Sequence, residues 1–98
     1  MDFEFDDDDL ERLYTDPNFS GGYVREAVKG FRKVMQIIRA APDERDFYQH
    51  KSLHFEKLKG SRSHQHSMRL TKKWRLVVEL DGTAPNKKVR LKGIEDYH

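Results

Sequence analysis

The sequence predicts an α+β fold, with two N-terminal helices grouped on one side of a small antiparallel sheet of three to five strands. Two observations lead there. Before Pro42, apolar residues recur at three- and four-residue steps, the period of a helix. From Met68 onward they alternate with charged residues, the period of a strand. The chain's 98 residues suit one domain over 1–98. A chain of this size buries roughly 60 to 65% of its unfolded surface, enough for one modest core.

Phe3 and Phe5 alternate with acids, so residues 2–5 read as a short strand. Asp7 to Tyr14 reads as a short helix: its acids sit in the first turn, where they complement the helix dipole, and Leu10, Leu13 and Tyr14 form its apolar side. Asp16-Pro17 and Ser20-Gly21-Gly22 mark a loop. Tyr23 to Ala40 is the clearest helix. Val24, Ala27, Val28, Phe31, Val34, Met35 and Ile38 make one stripe, and Arg25, Lys29, Arg32, Lys33 and Arg39 form a solvated face. Pro42 ends it, and 42–52 reads as polar and irregular. Strands begin at Leu53. Trp74, Leu76, Val78 and Leu80 share one strand face, with Arg75, Val77 and Glu79 on the other. Asp81-Gly82 opens a turn, Lys88 to Lys92 alternates again, and Gly93 marks a bulge.

There are no cysteines, which excludes a disulfide framework and a thiolate nucleophile. No apolar run approaches the ~18 residues a membrane span needs. The acidic start, Met1-Asp2-Phe3-Glu4, lacks the basic opening and apolar stretch of a signal peptide, so a cytoplasmic chain with no membrane partner is expected. The net charge of +2 hides a division: residues 1–20 carry eight acids and one base, residues 21–98 eighteen bases and nine acids. Such asymmetry points to a polyanionic partner, with the basic part attracting phosphates.

Arg69 and Arg75 flank the short Thr71-Lys72-Lys73 turn and both alternate with apolar residues, so both can project from one exposed sheet face. Lys59 and Arg62 precede them, and Asp96-Tyr97-His98 follows a strand carrying Lys88, Arg90 and Lys92. Clustered cations near a Tyr and a His suit phosphodiester cleavage. The cations hold the phosphate and stabilise its transition-state charge, and a Tyr, His or carboxylate moves protons. In RNA the attacking group can be the substrate's own 2′-hydroxyl, so neither a metal nor another cofactor is required. The competing reading of such arginines is ordinary surface ion pairing.

The segments Leu58-Lys59-Gly60-Ser61-Arg62, His66-Ser67-Met68-Arg69-Leu70, Trp74-Arg75-Leu76 and Glu95-Asp96-Tyr97-His98, in that order, resemble the HigB toxins (plasmid-maintenance killer proteins) of the RelE/ParE superfamily. The resemblance covers residues 53–98 well and the N-terminal half in outline. It implies a RelE-like fold and a toxin of a type II toxin–antitoxin system. Such a toxin is a ribosome-dependent mRNA interferase that enters the A site and cuts the messenger there. It further implies that Lys59, Arg69 and Arg75 grip and polarise the phosphate. Arg62, Lys57, Lys73 and Arg90 are expected, from their charge, as further phosphate contacts. His98 is the implied proton-transfer group, since an imidazole titrates near neutrality. Tyr97 stacks on a base or donates a proton, and Asp96 orients either one. The implied partner is a HigA-type helix-turn-helix antitoxin, through which alone the pair touches operator DNA.

One departure concerns the general base. Where the family often has a His four residues before the glycine of the Lys-Gly step, this chain has Glu56, with His54 on the same side of an extended strand. Either can serve. Three other readings stand beside this one. His64 and His66 have the i, i+2 spacing of two zinc ligands on one strand. The ParE branch of the superfamily acts on gyrase, and a non-cleaving chain can block ribosomes. A plain RNA-binding module would bind salt-dependently without cutting.

Overall fold

The computed structural model describes residues 1–83 and 87–96. The elements are β1 (Phe3–Phe5), α1 (Asp8–Thr15), α2 (Arg25–Ala40), α3 (Arg45–Gln49), β2 (Glu56–Lys57), β3 (His66–Arg69), β4 (Trp74–Asp81) and β5 (Lys88–Asp96), with single 3-10 turns at Lys51–Leu53 and Gly60–Arg62. The expected α+β class holds, with three helices where two were expected. The strands form one five-stranded sheet in the order β1-β5-β4-β3-β2.

Local chemistry sets the ends of the first two helices. Asp7 is the N-cap of α1 rather than its first residue: its carboxylate accepts from the Asp9 amide at 2.8 Å and the Leu10 amide at 3.1 Å. The end of α1 and the loop after it are tied to α2 by Arg32. Its Nε donates to the Leu13 carbonyl at 3.3 Å, and its Nη2 to the Asp16 and Phe19 carbonyls, both at 3.2 Å. Arg32 is therefore structural, whereas Arg25, Lys29, Lys33 and Arg39 on the same helix are exposed, as a solvated face should be. The stripe of α2 is buried except at its first member, Val24, which caps the helix and faces solvent.

Helix side chains Leu10, Leu13, Phe31, Met35 and Ile38 meet Met68, Leu76, Val78, Val89 and Leu91 of the sheet in one core. Each fully buried side chain of this size contributes about 1.5–3 kcal/mol. The segment expected to be irregular supplies part of that core. Phe47 of α3, Leu53 and Phe55 are all buried. Their polar neighbours hid a single helical turn, started where the Asp43 carboxylate accepts from the Arg45 amide at 2.9 Å.

Two corrections concern the sheet. It is mixed rather than purely antiparallel, because β1 pairs parallel with β5 (Phe3↔Val89, Phe5↔Leu91). Alternation shows which face a residue takes but not the direction of its neighbour. And Val77, placed by alternation away from the core, is buried together with Ser67. The 58–65 segment folds over that outer face, where Arg62 and Gln65 reach Glu95 and Glu79. The expected irregularity beside Gly93 is present: Val77 pairs with Gly93 but Val78 pairs with Leu91, so Lys92 is the extra residue of a bulge.

Candidate active site

Arg69 ends β3 and Arg75 lies one residue into β4, and they are direct cross-strand partners. Opposed side chains in an antiparallel pair stand only about 4.5–5.5 Å apart at Cβ, so the two arginines leave the sheet from adjacent positions on one face, Arg69 turning toward His54 and Arg75 toward Glu95. The turn between them is fixed from both ends. The amides of Leu70 and Thr71 donate to the Trp74 carbonyl at 2.9 and 3.1 Å. The Thr71 hydroxyl accepts from the Lys73 and Trp74 amides, both at 3.1 Å. Below, α2 presents Gly30, and a Cβ there would stand 2.5 Å from the Leu70 carbonyl oxygen. Only a residue without a side chain lets the helix come this close to the turn.

Arg69 then reaches across to His54. Its Nε donates to the Thr71 carbonyl at 3.3 Å, and its Nη1 lies 3.2 Å from His54 Nε2. A guanidinium can only donate, so the contact is a hydrogen bond in the tautomer that leaves Nε2 unprotonated. His54 is the one described non-glycine residue with positive φ (+46°), an infrequent conformation for a side chain of this size. That left-handed turn brings the ring over the outer face. His54, Glu56, Arg69 and Lys72 together line a cleft of about 200 Å³.

Arg75 belongs to a second cluster. Its Nη2 lies 3.5 Å from Glu95 Oε1, and Arg62 clamps the same carboxylate with two bonds of 2.9 and 2.7 Å. Arg62 also donates to Gln65 Oε1 at 3.0 Å. The Arg62 hydrogen bonds hold the Glu95 carboxyl below its ordinary range, against the opposing effect of burial.

The other expected residues are distributed as follows. Asp96 pairs with Trp74, so it takes the opposite face from Arg75 and Glu95, and its Oδ1 is buried without a hydrogen-bond partner among the described residues. Tyr97 and His98 lie outside the described residues. Lys59 is exposed where the Gly60–Arg62 turn begins. Lys57 pairs with His66 on the edge strand, facing away from Glu56. Lys73 lies over the Trp74 ring at 5.5 Å. Arg90 sits apart, bonded to Asp6 at 2.8 and 3.1 Å and close to Glu4 and Asp81. The arginine pair, His54 and Glu56 are thus brought to one face. Arg90, opposite Glu79, shares that face but is held away from them by the acids beside β1, and Asp96 takes the other face.

His64 and His66 have separate surroundings. His64 lies 3.7 Å from Glu79 Oε2. His66 stacks on Phe55 (4.7 Å between centroids, 11° between planes), and burial pushes its pKa down from 6.5. Sequence reasoning did not assign a role to Glu95, Thr71 or Gly30. Glu95 was visible as the residue before the terminal Asp-Tyr-His, and its face follows from alternation once Trp74↔Asp96 is known.

The model of the RelE-like toxin of type II toxin–antitoxin system HigB matches residues 3–95. The chain belongs to the HigB-like toxin family. As such, this HigB-like toxin is the toxin member of a type II pair, with an antitoxin as its counterpart. Among solved structures its fold is similar to a YoeB/ParE toxin from Agrobacterium tumefaciens, with a TM-score of 0.57 and 16% identity over 100% of both chains. No curated protein sequence matches the chain. Among the described residues of this HigB-like toxin, no helix is long and apolar enough to cross a membrane.

Proposed function

We propose that this HigB-like toxin is a metal-independent endoribonuclease that cuts messenger RNA in the ribosomal A site and so stops translation, as one toxin domain over residues 1–98. The observation that carries the proposal is the pairing of Arg69 with Arg75 beside a cleft holding His54, Glu56 and Lys72. Two arginines rising from opposed positions on neighbouring strands offer two guanidiniums to one phosphate and to the charge that grows on it.

In this reading the 2′-hydroxyl next to the scissile phosphate attacks phosphorus, and its proton passes to His54 or Glu56. The bond from phosphorus to the 5′-oxygen breaks, and the leaving oxygen takes a proton from His98. The products are a 2′,3′-cyclic phosphate and a free 5′-hydroxyl. His54 and Glu56 both line the cleft beside Arg69, within reach of a phosphate held there. Tyr97 positions the substrate, and Asp96, whose side chain takes the other face, acts only through the residues that follow it. Lys57, Lys59 and Lys73 add phosphate contacts. Arg62 acts through Glu95, and Arg90 through Glu4 and Asp6, because their donors are already engaged.

The working context is the cytoplasm, with a HigA-type helix-turn-helix antitoxin as the partner and operator DNA reached only through it. The test is induced expression in a bacterial host of the wild type, Arg75→Ala and a chain lacking His98, with mRNA 5′ ends mapped. Growth arrest with in-frame cuts in translated messages, lost in both variants, is the expected result. Arrest without cuts would move the assignment to a non-cleaving inhibitor of ribosomes or gyrase. No arrest would leave an RNA-binding module.

A further inference from the structure

Among the large apolar side chains of the described residues, only Val24 and Tyr48 are exposed, and Tyr48 is the more open, at 58%. Tyr48 lies on α3 and meets Phe55 edge-on, with ring centroids 4.8 Å apart and planes at 77°. Phe55 in turn stacks on His66 and touches the buried Phe47. The exposed ring is thus the outermost member of an aromatic ladder, held along one edge while much of its surface stays open to solvent. A ring held this way loses little further freedom when something stacks on it.

Its position relates it to the cleft. Phe55 is covalently flanked by His54 and Glu56, which line that cleft from the other face of the sheet edge. The strand between them, β2, is only two residues long and lies at the end of the sheet. An extended polyanion crossing this edge would pass from the arginine pair to the Tyr48 side without meeting a further strand.

The surroundings decide the kind of occupant. His50, Lys51, Ser52 and Lys57 along the same edge are exposed and polar or basic. A protein-docking patch would continue as apolar surface. One open aromatic ring with Lys51 and Lys57 along its edge, and Glu56 turned to the cleft, is instead the arrangement used for single-stranded nucleic acid, with stacking for the base and Lys for the phosphate.

We infer that Tyr48 is a base-stacking platform for a nucleotide of single-stranded RNA next to the scissile phosphate, with Lys57 contacting that nucleotide's phosphate. The inference rests on the ribonuclease reading and deepens it. Stacking does not read hydrogen bonds, so Tyr48 contributes affinity and register with little choice of base.

The test is fluorescence anisotropy with a short labelled RNA fully 2′-O-methylated, which cannot undergo 2′-hydroxyl attack, against the intact toxin. Tyr48→Ala is expected to weaken binding by about 5- to 100-fold, and Tyr48→Phe to restore it to within about 2-fold. Tyr48→Ala leaves the slope of binding against log salt unchanged, while Lys57→Ala lowers it by about 1. Thermal melting of each variant confirms that the fold is intact. Wild-type affinity in Tyr48→Ala, equal weakening by Phe and Ala, or no binding by the wild type would each overturn the inference. Mapping of mRNA cuts in parallel separates the two readings. Cutting with Tyr48-independent binding removes the platform alone, and Tyr48-dependent binding without cutting removes the nuclease reading alone.

Discussion

Replacing Gly30 by alanine sets two effects of opposite sign against each other. Gly30 lies within α2, where alanine is favoured over glycine by about 1 kcal/mol. The added methyl, however, would lie 2.5 Å from the Leu70 carbonyl oxygen, 3.0 Å from its carbon and 3.1 Å from its Cβ. Two of these three atoms are backbone, so the neighbour is not a flexible chain end that can swing away. Ordinary contact begins near 3.4 Å, so the turn must retreat by roughly 0.9 Å from the helix. Overpacking of this kind costs about 1–3 kcal/mol. The net expectation is a loss of between 0 and about 2 kcal/mol. The functional effect is larger than the stability effect. Leu70 directly follows Arg69, and its amide bonds to the Trp74 carbonyl beside Arg75. A misplacement near 1 Å can cost about 100-fold in rate. Gly30→Ala is therefore expected to fold, to lose a little stability in urea titration, and to cut at least 10-fold more slowly under conditions where it is fully folded. A variant stabilised by about 1 kcal/mol with wild-type cutting would refute the claim that the helix positions the arginine pair.

Two further outcomes follow from charge. His66 is partly buried with its pKa pushed down, so its contribution is full above the ordinary value of 6.5 and fades as pH falls from there toward the lower folded value. Urea midpoints measured from pH 7.5 down to 5 should show this loss, and His66→Phe, which keeps the stack on Phe55, should flatten that part of the profile. Asp6 accepts from Arg90 and Lys92, and Asp6→Asn removes the negative charge they share, leaving Arg90 with Glu4 and Asp81 and Lys92 with Glu79. RNA binding should then tighten at low salt, with a slope against log salt steeper by up to about 1. An unchanged slope would mean that β5 lies away from the RNA.

The sequence by itself determined the helical stripe of α2, the alternation of β4, the bulge beside Gly93 and the placing of Arg69 and Arg75 on one face. These are local matters: a period and a turn length decide them within a few residues. The motifs of the C-terminal half also carried the family. The short helix at Arg45–Gln49 was not legible, because one buried Phe47 among polar residues has no period to detect. Nor was the parallel pairing of β1 with β5, which joins segments more than 80 residues apart. Tertiary structure alone decided which cations stay available. Arg62 and Arg90 read as phosphate contacts in sequence, yet carboxylates brought from Glu95, Asp6 and Glu4 engage them. It also turned His54 through a left-handed backbone to face Arg69, and its register put Glu95, not Asp96, on the face of Arg75. Composition counts charges, but the partner of each charge depends on distances across the fold, and those exist only once distant segments have been brought together.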